Sequence, residues 1–252
     1  MSKISRRKLI TTGLLATAGA TGLGAAAKLA ERYGLIPPDA GVLYGAGETL
    51  TYAAQRLLTR HSLAPAFARS QISQDPFANE VSPLGAEFHR LQEGGFADWR
   101  LAVDGMVARP ASFSLAELRN FPCSTQVTMT ACEEGWSYIA EWSGVPLAHI
   151  LNLVGALPQA RYVVYRSFQP DWWDSIDMAD ALHPQTLLAV AMNGSELPVP
   201  FGGPLRLRVP RQLGYKNVKY ITRLTITDNL KRFGKGLGSA APEGGYAWYA
   251  GI

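Results

Sequence analysis

Cysteine and histidine are scarce in this chain. Its 252 residues hold two cysteines, Cys123 and Cys132, and four histidines, His61, His89, His149 and His183, with no CxxC and no HxxxH spacing. A structural zinc site needs four such ligands at suitable spacings, so zinc is excluded. The lack of a CxxCH and of a four-cysteine set excludes a c-type haem and an iron–sulfur cluster. The chain therefore needs a partner to deliver or accept electrons in any redox reaction. Excess charge is also missing from the body. The formal charge is +4, but Lys3, Arg6, Arg7 and Lys8 precede the first acid, Glu31, and beyond residue 27 the sequence carries 20 basic and 20 acidic residues. No nucleic-acid-binding motif occurs, and nucleic acid is not an expected partner. Strongly apolar runs are absent too. The one stretch of suitable length, "LITTGLLATAGATGLGAAA", carries glycines at 13, 19, 22 and 24, which weakens it as a span of about 20 apolar residues.

What is present at the N-terminus is a targeting pattern. A charged start ("SRRKLI"), the soft apolar stretch and small residues up to Ala27 form an export signal over 1–27. The adjacent Arg6 and Arg7 mark the twin-arginine type; the competing reading is an uncleaved anchor. The expected location is the periplasm, with retention at the inner membrane as the variant. The twin-arginine route carries folded proteins, often with a cofactor already inserted, so a cofactor is worth seeking.

The remaining chain divides into an extension over 28–76, a main domain over 77–230 and a tail over 231–252. In the extension, "GETLTYAAQRLLTRH" has Leu50, Ala53, Ala54, Leu57 and Leu58 on one side of a short helix. "WRLAVDGMVARP" reads as a strand or hairpin turning at Asp104-Gly105. "SLAELRNF" reads as a helix with Ser114 as N-cap and Glu117 completing a capping box. "STQVTMTAC" is a strand running up to Cys132. "SGVPLAHILNLVGA" is a helix after a proline-bearing start, ended by Gly155. "RYVVYRSF", "LLAVAM", "PLRLRVP" and "VKYITRLTITD" are further strands, with a turn at Asn193-Gly194. Strands and short helices mix without regular βαβ alternation, so the expected fold class is α+β with a mixed sheet. The aromatic, glycine-rich end "EGGYAWYAGI" is expected to pack on the body or on a partner.

Cys132 admits three readings: a buried structural thiol, a disulfide with Cys123, or a thiolate ligand to a soft or redox-active metal. Nine residues of strand separate the two cysteines, roughly 30 Å when extended, against the 7 Å or so between Cα atoms that a bridge tolerates. Only a sharp reversal would allow the disulfide. A lone thiolate that binds metal must share it with an organic cofactor, and molybdenum held by a pterin dithiolene is the main case.

Four segments in order, "VDGMVARPASFSLAELRNFP", "TACEEGWSYIAEWSGVPLAHIL", "LLAVAMNGSELP" and "GGPLRLRVPRQLGYKNVKYI", resemble the molybdenum-cofactor domain of the sulfite oxidase superfamily over about residues 77–230. "CEEGW" is most similar to the bacterial exported branch that includes the catalytic subunit of periplasmic protein-methionine-sulfoxide reductase. The resemblance implies a sulfite-oxidase-type fold, a molybdenum–molybdopterin cofactor and Cys132 as catalytic metal ligand. A coordinated thiol is deprotonated by the cation itself. Of the two following acids, Glu134 fits the family's glutamate and Glu133 its variable position. The cofactor-binding residues it implies are Arg206, Lys216, Asn217, Val218 and Lys219 near the end, Ser167 after the strand "YVVYR", and Asn79 upstream. The family's His or Asn before Gly-x-Pro-Leu-Arg is replaced here by Phe201, which cannot hydrogen-bond a cofactor. Trp172, Trp173 and Asp174 are expected in a loop near the metal, where the two indoles line a substrate pocket or cover the core.

The expected activity is oxygen-atom transfer, the reduction of an organic S- or N-oxide, whether a small molecule or protein-bound. The alternatives are sulfite oxidation and a catalytically silent cofactor-binding protein. The expected electron partner is a membrane b-type cytochrome or a soluble periplasmic carrier. The immunoglobulin-like dimerisation domain of eukaryotic-type enzymes is not expected, and a monomer is.

Overall fold

The computed structural model describes residues 20–42, 45–79 and 84–252. Arg6 and Arg7 of the expected signal lie outside them. The described part of that segment enters helix α1 (Ala20–Arg32). Helix α2 (Gly45–Leu58) and α3 (Gly85–Glu93) precede the first strand.

Ten strands form two five-stranded sheets. One has the order β2-β1-β10-β5-β6, built from β1 (Arg100–Gly105), β2 (Ala111–Ser114), β5 (Tyr162–Ser167), β6 (Trp173–Asp177) and β10 (Ile221–Thr227). It is mixed, because β1 runs parallel to β10 and every other pair is antiparallel. The other runs β3-β4-β7-β8, with β9 also on β7: β3 (Ser124–Ala131), β4 (Ser137–Pro146), β7 (Leu187–Met192), β8 (Ser195–Glu196) and β9 (Arg206–Arg208). Helices α4 (Leu115–Asn120), α5 (Leu147–Val154) and α6 (Met178–Ala181) complete the body. The mixed α+β class expected from the sequence is the observed one.

Local chemistry explains the boundaries. The Ser114 hydroxyl accepts from the Glu117 amide at 3.1 Å, and the Glu117 carboxylate accepts from the Ser114 amide at 2.8 Å, so the capping box of α4 is complete. Gly155, at φ +67°, ends α5 in the left-handed region. Three readings are corrected. The β1–β2 connection lies after Gly105, over residues 106–110, rather than at Asp104-Gly105 itself. "SGVP" belongs to strand β4, not to the start of α5. Trp173 and Asp174 lie in strand β6, and only Trp172 sits in the preceding loop. β4 extends through Gly144 because a side chain there would collide with the Leu188 carbonyl at 2.1 Å, so the glycine admits the close approach of β7 at a register shift.

The main core draws on both sheets and on α4 and α5, with Leu101, Val103, Ile150, Tyr165, Leu188, Leu207 and Leu224 fully or almost fully buried. A second cluster covers the outer face of β5, joining Tyr52 of α2 to Tyr162, Val164, Leu230, Trp248 and Tyr249. A third gathers Tyr138, Ala140, Trp142, Ala189, Met192 and Leu197 on β4, β7 and the segment after β8. The β9–β10 connection, residues 209–220, crosses from one sheet to the other and carries Lys216, Asn217, Val218 and Lys219.

Candidate molybdenum-cofactor site

Cys132 follows β3 at the top of a tight turn. Its amide donates to the Trp136 carbonyl at 2.9 Å, and its carbonyl accepts from Gly135 at 3.1 Å. Gly135, at φ +94°, permits the reversal into β4. Both thiols are free. Cys123 is exposed and Cys132 half-buried. The Cys132 thiol donates to Glu133 Oε2 at 3.2 Å. Burial pushes this thiol up to about 12, and the Glu133 and Glu134 carboxylates add to that. Without a cation beside it, Cys132 is therefore a protonated thiol at neutral pH; only a metal would make it a thiolate. The acid that touches the sulfur is Glu133. Glu134, the residue matching the family's glutamate, accepts from the Trp136 indole at 2.7 Å and so fixes the turn.

The β9–β10 connection packs directly on this turn. A side chain at Gly214 would meet Cys132 Cα at 3.3 Å. Asn217 organises the connection: its Oδ1 accepts from Val209 N at 2.6 Å and from Arg208 at 3.0 Å, and its Nδ2 donates to Leu213 O at 3.0 Å. The Asn217 side chain is thus spent on the loop itself. Val218 is buried, and its carbonyl accepts from Leu207.

Two arginines lie under the site. The two-residue period of β9 places Arg206 and Arg208 on one face. Arg206 donates to the Phe201 and Asn217 carbonyls at 2.8 and 2.7 Å. Arg208 reaches Asn217 and, at 3.3 Å, the Met129 carbonyl on β3. Both guanidinium groups lie over the Trp142 ring, at 5.2 and 4.6 Å. Neither has a carboxylate partner among the described residues. Burial pulls Arg206 below its ordinary range; burial and then the nearby Arg206 charge pull Arg208 to about 9. Arg206 Nε, Arg208 Nε, Thr130 Oγ1 and Trp142 Nε1 are buried donors with no hydrogen-bond partner among the described residues. Buried donors are normally satisfied, and a buried charge without a counter-ion is costly. The region is built for an anion with several acceptor oxygens.

Lys219 stands at the same place. A side chain at Gly202 would meet both Arg206 Cβ and Lys219 Cβ at 3.0 Å. Lys219 Nζ donates to the Pro200 carbonyl at 2.7 Å and to the Asn79 carbonyl at 3.3 Å, so Asn79 is brought to the site through its backbone. Burial, and then Arg206, pull this ammonium down to about 7, with Cys132 acting the other way. Ser167 pairs with Ile221 at the end of β5, beside the same connection, and its hydroxyl accepts from the Gln169 amide.

Lys216 is placed elsewhere. Its ammonium is fully buried against Asp174 of β6 and donates to the Ser175 carbonyl at 2.7 Å. Burial pushes Asp174 up to about 6 and Lys216 down, even with their mutual attraction. Lys216 therefore ties the connection to β6 instead of offering its charge to a ligand. Thr130 and Trp142 are candidate site residues that motif matching passes over, whereas Arg208 belongs to the basic cluster of Arg206, Arg208, Arg211, Lys216 and Lys219 that the sequence offers for anchoring a cofactor phosphate. The R-x-R spacing on a strand was the available signal for Arg208. Phe201 contributes its carbonyl to Arg206 and its ring to Tyr138, at 5.8 Å.

Beside the metal-ligand turn lies a cavity of about 110 Å³, lined by Glu133, Trp172, Trp173, Asp174, Tyr215, Ala240, Ala241, Gly244 and Tyr246. Its walls are mostly aromatic and its charged groups are carboxylates.

A thiol near buried cations that have no carboxylate partner among the described residues, on two sheets bridged by one connection, suits an anionic metal cofactor. Comparison with known proteins gives the class. Residues 90–232 match the oxidoreductase molybdopterin binding domain, and the chain belongs to that family. Its cofactor is molybdenum carried by molybdopterin, and the orphaned donors and Cys132 fit such a group. A relative from Azospira oryzae, with the provisional name protein-methionine-sulfoxide reductase subunit YedZ1, is 40% identical over 197 residues, 77% of this chain and 70% of its own. The protein-methionine-sulfoxide reductase catalytic subunit MsrP of Xanthomonas campestris is 32% identical over 147 residues, 52% of this chain and 46% of its own. The fold is shared with the sulfane dehydrogenase SoxCD from Paracoccus pantotrophus, at a TM-score of 0.52 and 24% identity over 68% of this chain and 46% of that one. The chain thus spans under half the length of the last two.

Proposed function

We propose that this enzyme reduces a neutral organic S- or N-oxide by oxygen-atom transfer at a molybdenum ligated by Cys132. The observation that carries the reading is the cavity beside Glu133. Inorganic sulfite would have to approach the Glu133 carboxylate, while Asp174 has its charge met by Lys216, and like charge at Glu133 costs free energy. A neutral oxide with an apolar substituent meets aromatic walls instead. The relatives named for protein-methionine-sulfoxide reductase support the same direction.

The bound cofactor supplies two-electron redox chemistry and accepts the oxygen atom. The chain's own residues do the rest. Cys132 Sγ would lose its proton on ligating the metal, and Glu133 Oε2, its hydrogen-bond acceptor at 3.2 Å, would pass that proton on to solvent. Arg206, Arg208 and Lys219 hold the anionic part of the cofactor, with Thr130 and Trp142 supplying neutral donors. Asn217 and Lys216 keep the connection in place. Asn79, Val218 and Ser167 line its edge. The overall change takes up two electrons and two protons, converting the oxide into its parent compound and water.

The electrons come from a membrane b-type cytochrome or a soluble carrier, and the enzyme works in the periplasm after twin-arginine export. No helix among the described residues is long and apolar enough to cross a membrane. The test is an assay of holoenzyme with reduced viologen dye and methionine sulfoxide, beside one with sulfite and an artificial acceptor. Dye oxidation that depends on the sulfoxide is expected. Turnover of sulfite alone would overturn the reading.

A further inference from the structure

The family match ends at residue 232, yet the residues after it form part of the cavity. Ala240, Ala241, Gly244 and Tyr246 make one side; Trp172, Trp173 and Glu133 make the rest with Asp174 and Tyr215. The tail is fixed on both sides of this segment. Before it, Gly234 approaches Trp173 so closely that a side chain would sit 2.8 Å from the ring. After it, Trp248 is almost fully buried, its indole donating to Ser175 Oγ at 2.9 Å and its amide to Asp39 at 2.6 Å. The last residues run along the connection that packs on Cys132: Leu213 N donates to Ala250 O at 2.9 Å, Ile252 N to Arg211 O at 3.0 Å and the Tyr215 hydroxyl to Ala247 O at 2.5 Å. Between these anchors the Tyr246 ring lies 5.3 Å from that of Tyr215 and faces the cavity.

Resting on the oxide-reductase reading above, we propose that the C-terminal tail is the specificity wall of the substrate pocket, with Tyr246 setting its size for a neutral S-oxide bearing a small alkyl group. The volume, about 110 Å³, is that of a few waters, at about 30 Å³ of liquid each. It accommodates a methyl sulfoxide group but not a sulfoxide with an attached aryl ring. Aromatic rings on both sides suit a thioether sulfur, which contacts ring edges favourably. Glu133, which touches Cys132 Sγ, places the inner end of the pocket beside the metal ligand.

The test uses holoenzyme with two substrates, N-acetylmethionine sulfoxide methyl ester and methyl phenyl sulfoxide. Steady-state rates with reduced dye are read beside equilibrium binding, followed without dye by quenching of tryptophan fluorescence. Tyr246→Ala raises KM and Kd for the methionine compound about tenfold, the scale of a lost pocket contact, and raises kcat/KM for the aryl compound. Tyr246→Phe restores the wild-type preference. Trp172→Ala, on the opposite wall and half exposed, shifts the preference in the same direction. If both substrates turn over and neither alanine variant changes their ratio, the tail is not the specificity wall and the oxide-reductase reading stands. If the wild type binds the methionine compound without reducing it, and Tyr246→Ala loses that binding, the pocket stands and the reaction reading falls. Neither binding nor turnover in the wild type overturns both.

Discussion

Two buried arginine clusters meet near the start of the β9–β10 connection, one through Arg206 and Arg208 of β9 and the other through Arg211 just beyond it, and they have been solved in opposite ways. In one, Arg56 of α2 forms a two-pronged pair with Asp180, at 3.0 and 2.6 Å, and also meets Asp177 at 2.8 Å. Arg211 joins Asp180 at 3.3 Å, Gln212 donates to it at 2.5 Å, and the Tyr52 hydroxyl donates to Asp177 at 2.8 Å. Burial alone would raise Asp180, but the Arg56 fork and Arg211 hold it below the usual carboxylate range. Every cation there has an anion. In the other cluster, Arg206 and Arg208 have carbonyls, an amide oxygen, the Thr128 hydroxyl at 3.5 Å and an indole face, and no carboxylate among the described residues. Charge that is paired holds a fold together. Charge that is buried and unpaired needs a ligand that the chain does not itself supply. The difference separates a cluster that meets its own charges from one left open to an anionic ligand.

That assignment can be broken by substitution. The largest effect falls on the paired cluster. Asp180→Ala removes the carboxylate partner of Arg211 and leaves Arg56 with Asp177 alone, and it costs about 3–5 kcal/mol, read by urea unfolding of both cofactor-free and loaded protein. A loss below about 1 kcal/mol would show that the cluster is not structural.

Next comes Arg208→Met. In cofactor-free protein it removes a buried, uncompensated charge, so unfolding stability stays within about 1 kcal/mol of wild type or rises. In loaded protein the variant loses the extra stabilisation that a bound ligand confers. Thermal unfolding of both forms checks this, and an equal loss in both would place Arg208 with the structural arginines.

A smaller effect concerns pH. Lys219 is an ammonium below about 7 and neutral above it. Binding of an anion requires the charged form, so above pH 7 a proton must be taken up and affinity falls, by at most about tenfold per pH unit. Sulfate, whose own charge is constant over this range, titrated into cofactor-free protein at pH 6 and pH 8 should bind more tightly at pH 6, and Lys219→Met should flatten the difference. The smallest effect is expected for Cys123→Ala. This exposed thiol lies away from the turn, so stability should change by less than about 0.5 kcal/mol and molybdenum content should not change.

Much of the site was legible because it rests on local sequence. Cys132 at the end of a Thr-rich strand, and Arg206, Asn217, Val218 and Lys219 in one short segment, are positioned by backbone that their neighbours dictate. The failures share a physical cause. Gly144 and Pro146 look like strand breakers, yet β4 continues because the glycine accommodates the close carbonyl of β7, a contact 44 residues away in sequence. Lys216 sits among cofactor-facing residues, but its partner, Asp174, lies on a strand that reads as loop. Glu133 reaches the sulfur and Glu134 turns to Trp136, a choice made by the turn at Gly135. Tyr246 lines the same cavity as Glu133 only because the tail folds back across the body. Motif order carries the class of cofactor; long-range pairing decides which charge is offered to it.

The most direct test is X-ray absorption at the molybdenum edge, on wild-type protein and Cys132→Ala produced in a host that loads a control molybdoenzyme. The account predicts about one molybdenum per chain in the wild type and one fewer sulfur ligand in the variant. Wild-type protein without molybdenum, or a variant with an unchanged sulfur count, would contradict it.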